Sequence, residues 1–148
     1  MPRTVDIDFA IGKNRTVFDF EWNDSVLSGK VTINQSDKPE RIVPINSNDN
    51  AVLRMAVFGI ISALPLDDGF QMELPWFNTM SNKTESIQII HAGQETVKTP
   101  AGTFEAHKVN LKGGTPENII YVSKALPQKI VRIDVVGQPL HFERKATP

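Results

Sequence analysis

Three histidines, His91, His107 and His141, are the side chains of this chain best suited to proton transfer near neutral pH or to binding a transition metal. They fall in separate stretches of strand-like alternation, where lone histidines are ordinarily surface residues or hydrogen-bonded core residues. Alternation sets His107 with Val109 and Leu111, pointing inward, and sets His141 against Leu140 and Phe142, facing water. The best metal-ligating set on offer is His141-x-Glu143 with His107. It is thin, and neither a metal nor another cofactor is expected. Paired carboxylates occur at Asp6/Asp8, on the wet face of a strand, and at Asp67/Asp68, in a turn where aspartate bonds nearby backbone N–H groups. There is no Gly-x-Ser-x-Gly elbow, no phosphate-binding glycine loop opening a helix, and no His-Glu-x-x-His. The chain therefore does not read as an enzyme. A metal-dependent or carboxylate-based hydrolase is the least favoured of three functional readings.

The apolar side chains say more. Phe18, Phe20 and Trp22 share one face of a strand, and Met72, Leu74 and Trp76 share a face of another. If both faces line one concave sheet, they make an aromatic interior, which is either plain core or a pocket for an acyl chain or other apolar ligand. Arg54 is the one charge in an otherwise apolar segment. It is placed to snorkel to solvent, to meet an anionic head group, or to pair with a carboxylate.

The elements that carry these residues are mostly strands. Val5, Ile7, Phe9 and Ile11 alternate with polar or small residues, Gly12-Lys13-Asn14 turns the chain, and Phe18, Phe20 and Trp22 alternate in the return strand. Leu27 to Ile33 gives the third strand of a three-stranded meander, and Arg41 to Ile45 reads as a separate short strand whose Pro44 suits a sheet edge. Then the period changes. Asn46 to Asp49 offers N-cap oxygens before a helix over Asn50 to Leu64, stopped by Pro65 and apolar around nearly its whole circumference, so it must be covered on more than one side. Gly59 inside that helix costs about 1 kcal/mol relative to alanine, which points to a close backbone contact or a kink. Strands resume at Phe70 to Trp76, Ser86 to Ala92, Glu95 to Thr99, Thr103 to Lys112, Asn118 to Ser123, Lys129 to Val136 and Leu140 to Arg144, with His91-Ala92-Gly93 among the separating turns. The fold class is mainly β: a strongly curved antiparallel sheet or open barrel of about ten strands with one apolar helix packed on or in it, in a single β-rich domain over residues 1–148.

Composition excludes several classes. With 148 residues, one domain can bury roughly 70% of its unfolded surface. No cysteine means no disulfide framework and no cysteine zinc site, and it fits any compartment. Sixteen Lys plus Arg against 17 Asp plus Glu, a net charge of -1, gives no basic excess for a nucleic acid. The apolar run from Ala51 to Leu66 would span about 24 Å as a helix, short of a ~30 Å hydrocarbon core, so no membrane span is expected.

Several segments carry a family resemblance. These are Leu64-Pro65-Leu66-Asp67-Asp68-Gly69-Phe70, the stretch Gly93 to Val109 with its Thr99-Pro100-Ala101-Gly102-Thr103-Phe104 turn, Tyr121-Val122-Ser123, and Leu126-Pro127-Gln128-Lys129-Ile130-Val131. Together they resemble the bacterial family called domain of unknown function 3108, whose members are similar to the open half-barrels of LolA/LolB-type lipoprotein carriers. The resemblance covers roughly Asp49 to Glu143, and the N-terminal strands fit it by pattern only. Tyr121 stands where the family commonly has tryptophan. The resemblance implies an extracytoplasmic, periplasmic protein, or a domain excised from a longer exported one, whose leader is not in this chain. It supplies no catalytic residues.

The first expectation is thus a non-enzymatic exported β-domain that binds an apolar or amphiphilic ligand in a concave interior, with Phe18, Phe20, Trp22, Arg54, Met72, Leu74 and Trp76 as lining residues. The alternative is a structural or interaction module that contacts a neighbouring domain or protein. A dry, filled interior favours the second.

Overall fold

The computed structural model describes residues 4–23, 26–47, 51–78 and 83–146, and for a few of these, Trp22 and Met55 among them, the backbone only. The chain divides into two compact units, Met1–Ala51 and Val52–Pro148.

The first unit is the three-stranded meander that the alternation predicts, extended by a fourth strand. Strands β1 (Thr4–Ile11), β2 (Asn14–Asn23), β3 (Val26–Gln35) and β4 (Lys38–Ser47) form one antiparallel sheet in sequence order. Register sets Phe18 opposite Ile7 and Val31, and Phe20 opposite Gly29, itself opposite Ile45. Phe20, Leu27, Val31 and Ile45 are buried on this shared face, whereas Asp8 and Arg15 form an exposed bidentate pair on the other. Pro44 lies in β4, an edge strand, where its missing N–H costs no ladder bond.

The second unit is a curled half-barrel of seven strands in the order β11-β10-β9-β8-β7-β6-β5. Its elements are β5 (Val52–Leu53), α1 (Arg54–Ile61), β6 (Gln71–Asn78), β7 (Lys83–Thr99), β8 (Gly102–Lys112), β9 (Asn118–Ser123), β10 (Ile130–Val135) and β11 (His141–Glu143). Neighbours are antiparallel except β5 and β6, whose short parallel ladder sets Val52 opposite Trp76. The fold class is as expected, mainly β with one apolar helix, but the strands are shared between two sheets. The phenylalanines of β2 and the Met72, Leu74 and Trp76 set of β6 therefore belong to different sheets and not to one.

Two boundaries differ from the sequence reading. The helix is half the expected length, because residues 52 and 53 are taken into the sheet as β5 and Ser62 and Ala63 already form a turn. The N-cap Leu53 makes no side-chain cap bond, and of the expected cap residues Asn48 and Asp49 lie outside the described ones. The second difference is at His91-Ala92-Gly93, read as a turn. It is a β-bulge inside the single long strand β7: register runs from His91 opposite Val109 to Gln94 opposite His107, so Ala92 and Gly93 face one residue, Lys108. Gly93, at φ 105°, supplies a backbone conformation that a side chain would resist.

On one face of the seven-stranded sheet, Val57 and Ile61 of α1 and Leu66 pack with Leu74, Trp76, Ile87, Ile89, Val109, Leu111, Ile120 and Val122, all buried. Strand β9 has both faces covered: Ile120 and Val122 join this core, and Tyr121 turns to a second cluster with Val97, Ala106 and Val131. On that second face Lys108, Tyr121, Arg132 and Glu143 lie opposite one another across four strands. Both cations lie over the phenol ring, at 6.0 and 5.8 Å, and Glu95 closes the row with a 3.3 Å ion pair to Lys108. Burial pushes the Tyr121 hydroxyl above its usual pKa of about 10, outweighing the pull of Lys108.

Two measurements follow from these elements. Gly59 is exposed, with open space where a Cβ would sit, so the close backbone contact expected there is absent. Gly59→Ala should stabilise the protein by roughly 0.5 to 1 kcal/mol in denaturant titration. Tyr121 is the chain's one tyrosine, so phenolate absorbance reads it alone. The neutral phenol is favoured in the folded state, hence stability is intact below about pH 10 and falls as pH rises through the ordinary tyrosine range toward the raised value. Tyr121→Phe should flatten that alkaline loss relative to the parent chain.

Candidate functional site

Of the seven residues expected to line a ligand site, the structure brings Arg54, Leu74 and Trp76 into one unit's interior, with Met72 half-buried at its margin. Phe18 and Phe20 sit together on β2, ring centroids 6.0 Å apart, and the side chain of Trp22 lies outside the described residues. Trp76 is fully buried, and its one polar atom decides its surroundings. The indole Nε1–H donates to Glu85 Oε2 at 2.9 Å across the β6–β7 ladder. Glu85 also accepts from Asn78 Nδ2 at 3.0 Å and from the backbone N–H of Thr115 at 3.4 Å, and Asn78 Nδ2 donates in turn to the Thr115 carbonyl. The Arg54 guanidinium lies 4.9 Å above the indole and donates to the carbonyls of Thr115 and Pro116 and to Asn118 Oδ1. Arg54 is thus engaged by groups of the protein itself. It ties the start of α1 to the 113–117 loop, and desolvation draws its pKa down while Glu85 opposes the change. Gly114 closes the arrangement, since a methyl group there would overlap the Trp76 ring.

A second polar cluster lies on the same face of the sheet, beside Val109. His91 Nε2 and His107 Nδ1 are 3.2 Å apart, their rings edge to face, and Asp68 Oδ1 is 3.7 Å from His91 Nδ1. The His91 backbone N–H also donates to the Phe70 carbonyl, joining the 66–70 loop to the bulge. His91 is nearly inaccessible and His107 half-buried, so burial, then the neighbouring His91 and Lys124, hold His107 below the ordinary histidine pKa against the pull of Asp67 and Asp68. This pairing escaped the sequence reading. Counting back from the Thr99–Gly102 turn in a regular hairpin puts His91 opposite Asn110, on the other face from His107, and the bulge moves it by one residue onto the same face. The signal that could have revealed it is Gly93 within an otherwise continuous strand pattern.

The metal set suggested by spacing does not assemble. His141 is exposed on β11, 3.9 Å from Glu143, and among the described residues no group of three or more His, Asp or Glu side chains is placed to hold an ion. Asp8 is taken by Arg15, and Asp68 is an exposed turn residue beside His91. A depression of about 340 Å³ in the first unit is lined by Thr4, Asp19, Phe20, Glu21, Gly29 and Lys30, a polar rim rather than an acyl pocket.

The class these features define is a β half-barrel whose inner face carries a packed helix. The chain belongs to the family described as "Protein of unknown function (DUF3108)", whose model matches residues 12–143 and so takes in β2 to β4, which the sequence resemblance reached by pattern only. No curated protein and no solved structure matches the chain.

Because Trp76 is fully buried and hydrogen-bonded, Trp76→Ala should cost roughly 3 to 5 kcal/mol, a core value and not that of an open pocket wall. Gly114→Ala should cost about 1 to 3 kcal/mol through overpacking alone. Denaturant midpoints of the two variants check both.

Proposed function

We propose that the protein is a non-enzymatic interaction module of an extracytoplasmic protein, contacting a neighbouring domain or protein. The observation carrying this reading is the filled inner face of the half-barrel, where Val57 and Ile61 of α1 pack directly on the sheet. A carrier for an acyl chain needs an open concavity of a few hundred Å³ lined by apolar side chains. Here those side chains are spent on the helix. A surface for contact lies at the β10–β11 hairpin, where Val136 and Leu140 of the connecting turn and Phe142 on the three-residue edge strand β11 are large apolar residues about half exposed. The extracytoplasmic placement is supported by the similarity of the family's members to lipoprotein-carrier half-barrels.

A second reading, binding of an apolar or amphiphilic molecule with α1 as a displaceable plug, is favoured by the helix itself. It has eight residues, no side-chain N-cap, no acid in its first turn and no base in its last. Such a helix is too short to persist alone and is held by packing, plus the bonds of Arg54.

Titration with a fluorescent long-chain fatty acid separates the two. The module reading expects no saturable binding at high micromolar protein, together with a photo-crosslink from position 142 to protein in the native cell that is lost in Leu140→Ser. Saturable uptake accompanied by a change in tryptophan fluorescence would overturn it in favour of the plug.

A further inference from the structure

We propose that His91 and His107 together bind one divalent transition-metal ion, with Asp68 orienting His91. The inference is independent of the module reading and rests on the juxtaposition of two imidazole nitrogens on adjacent strands. Zinc–nitrogen bonds of about 2.0 to 2.1 Å at a near-tetrahedral angle require ligand nitrogens about 3.3 Å apart. His91 Nε2 and His107 Nδ1 stand 3.2 Å apart. That is the bite of a chelate as well as the length of a hydrogen bond.

The surroundings suit the ion on three counts. Asp68 Oδ1 lies 3.7 Å from Nδ1 of His91, beyond a hydrogen bond but close enough for its charge to favour a proton on Nδ1, which leaves the Nε2 lone pair on the side of His107. A small approach of this exposed side chain would complete the carboxylate–histidine–metal arrangement in which an outer carboxylate sets the tautomer and raises ligand basicity. His91 is held rigidly, its side chain 2% exposed and its backbone bonded to Phe70, while His107 is half-buried and leaves an approach for the ion and for waters completing its coordination. The bulge at Ala92 and Gly93 is the third: it alone puts the two rings on one face, and bulges recur where a strand re-aims a side chain for a task. Two imidazoles without thiolate or a carboxylate cage suit Cu2+, Ni2+ or Zn2+ over Mg2+ or Ca2+.

The test is calorimetric titration of the full chain, stripped with chelator and dialysed, using Zn2+ and Ni2+ separately. One ion per chain is expected, with micromolar affinity and a raised melting temperature. Because His91 is buried, the informative variants are His107→Gln, which should weaken binding at least tenfold, and Asp68→Asn, which should weaken it about tenfold. Near-ultraviolet circular dichroism of each variant, matched to the parent, shows that the fold survives. His141→Ala should bind like the parent. Absence of saturable 1:1 binding at high micromolar ion overturns the proposal, as does binding that persists unchanged in His107→Gln or that disappears in His141→Ala.

Discussion

Trp76 is a large apolar side chain with one N–H, and burying it commits its neighbours to satisfying that single donor in a dry interior. Glu85 does so from the adjacent strand, but a carboxylate in that position needs donors of its own, and these come from Asn78 and the backbone of Thr115. Arg54 places its charge above the indole and near Glu85, and its remaining donors take the loop carbonyls. A strand, a hairpin partner, a helix terminus and a loop are thereby fixed to one ring. Gly114 is part of the same constraint, because the loop must come close enough to bond Glu85 and Arg54 while lying against the indole.

The rest of the seven-stranded unit follows from that anchor. With its first residue tied to the 113–117 loop, α1 lays Val57 and Ile61 on the sheet, and the chain returns through Leu66 into β6. The inner face is covered by the protein's own helix. The opposite face has a separate solution, a cross-strand row with Tyr121 at its centre between Lys108 and Arg132, each cation paired in turn with a glutamate. Among the described residues, the large apolar side chains left exposed are Ile42, Leu126 and, grouped on the short outer hairpin, Val136, Leu140 and Phe142, the last at 53%. The proposed contact is assigned to the place where the fold has run out of its own material.

Much of this was legible in residue order. Period-two alternation located most strands of both sheets, β5 and the continuity of β7 excepted, since a strand with one wet face writes that face into every second residue. Pro44 identified an edge, and the apolar run after Ala51 identified the one helix among the described residues. The helix boundaries were not legible, because Val52 and Leu53 suit a strand as well as a helix and only the adjacent Trp76 and Phe77 decide between them. Arg54 stood out as a lone charge in an apolar segment, yet its partners are 61 to 64 residues away, and no local pattern names them.

By itself the sequence determined the class of the protein: mainly β, near-neutral, with one apolar helix, no catalytic motif, and a family turn from Thr99 to Phe104. Those properties depend on local chemistry and period, which a chain carries wherever it folds. The tertiary structure decided which faces meet. It divided the aromatic residues between two sheets, filled the concave face with α1, and through a single extra residue at the β7 bulge brought His91 beside His107. The reason is the same in each case: alternation says that a side chain points to one of two sides, but register, which depends on a distant strand, says what is waiting there.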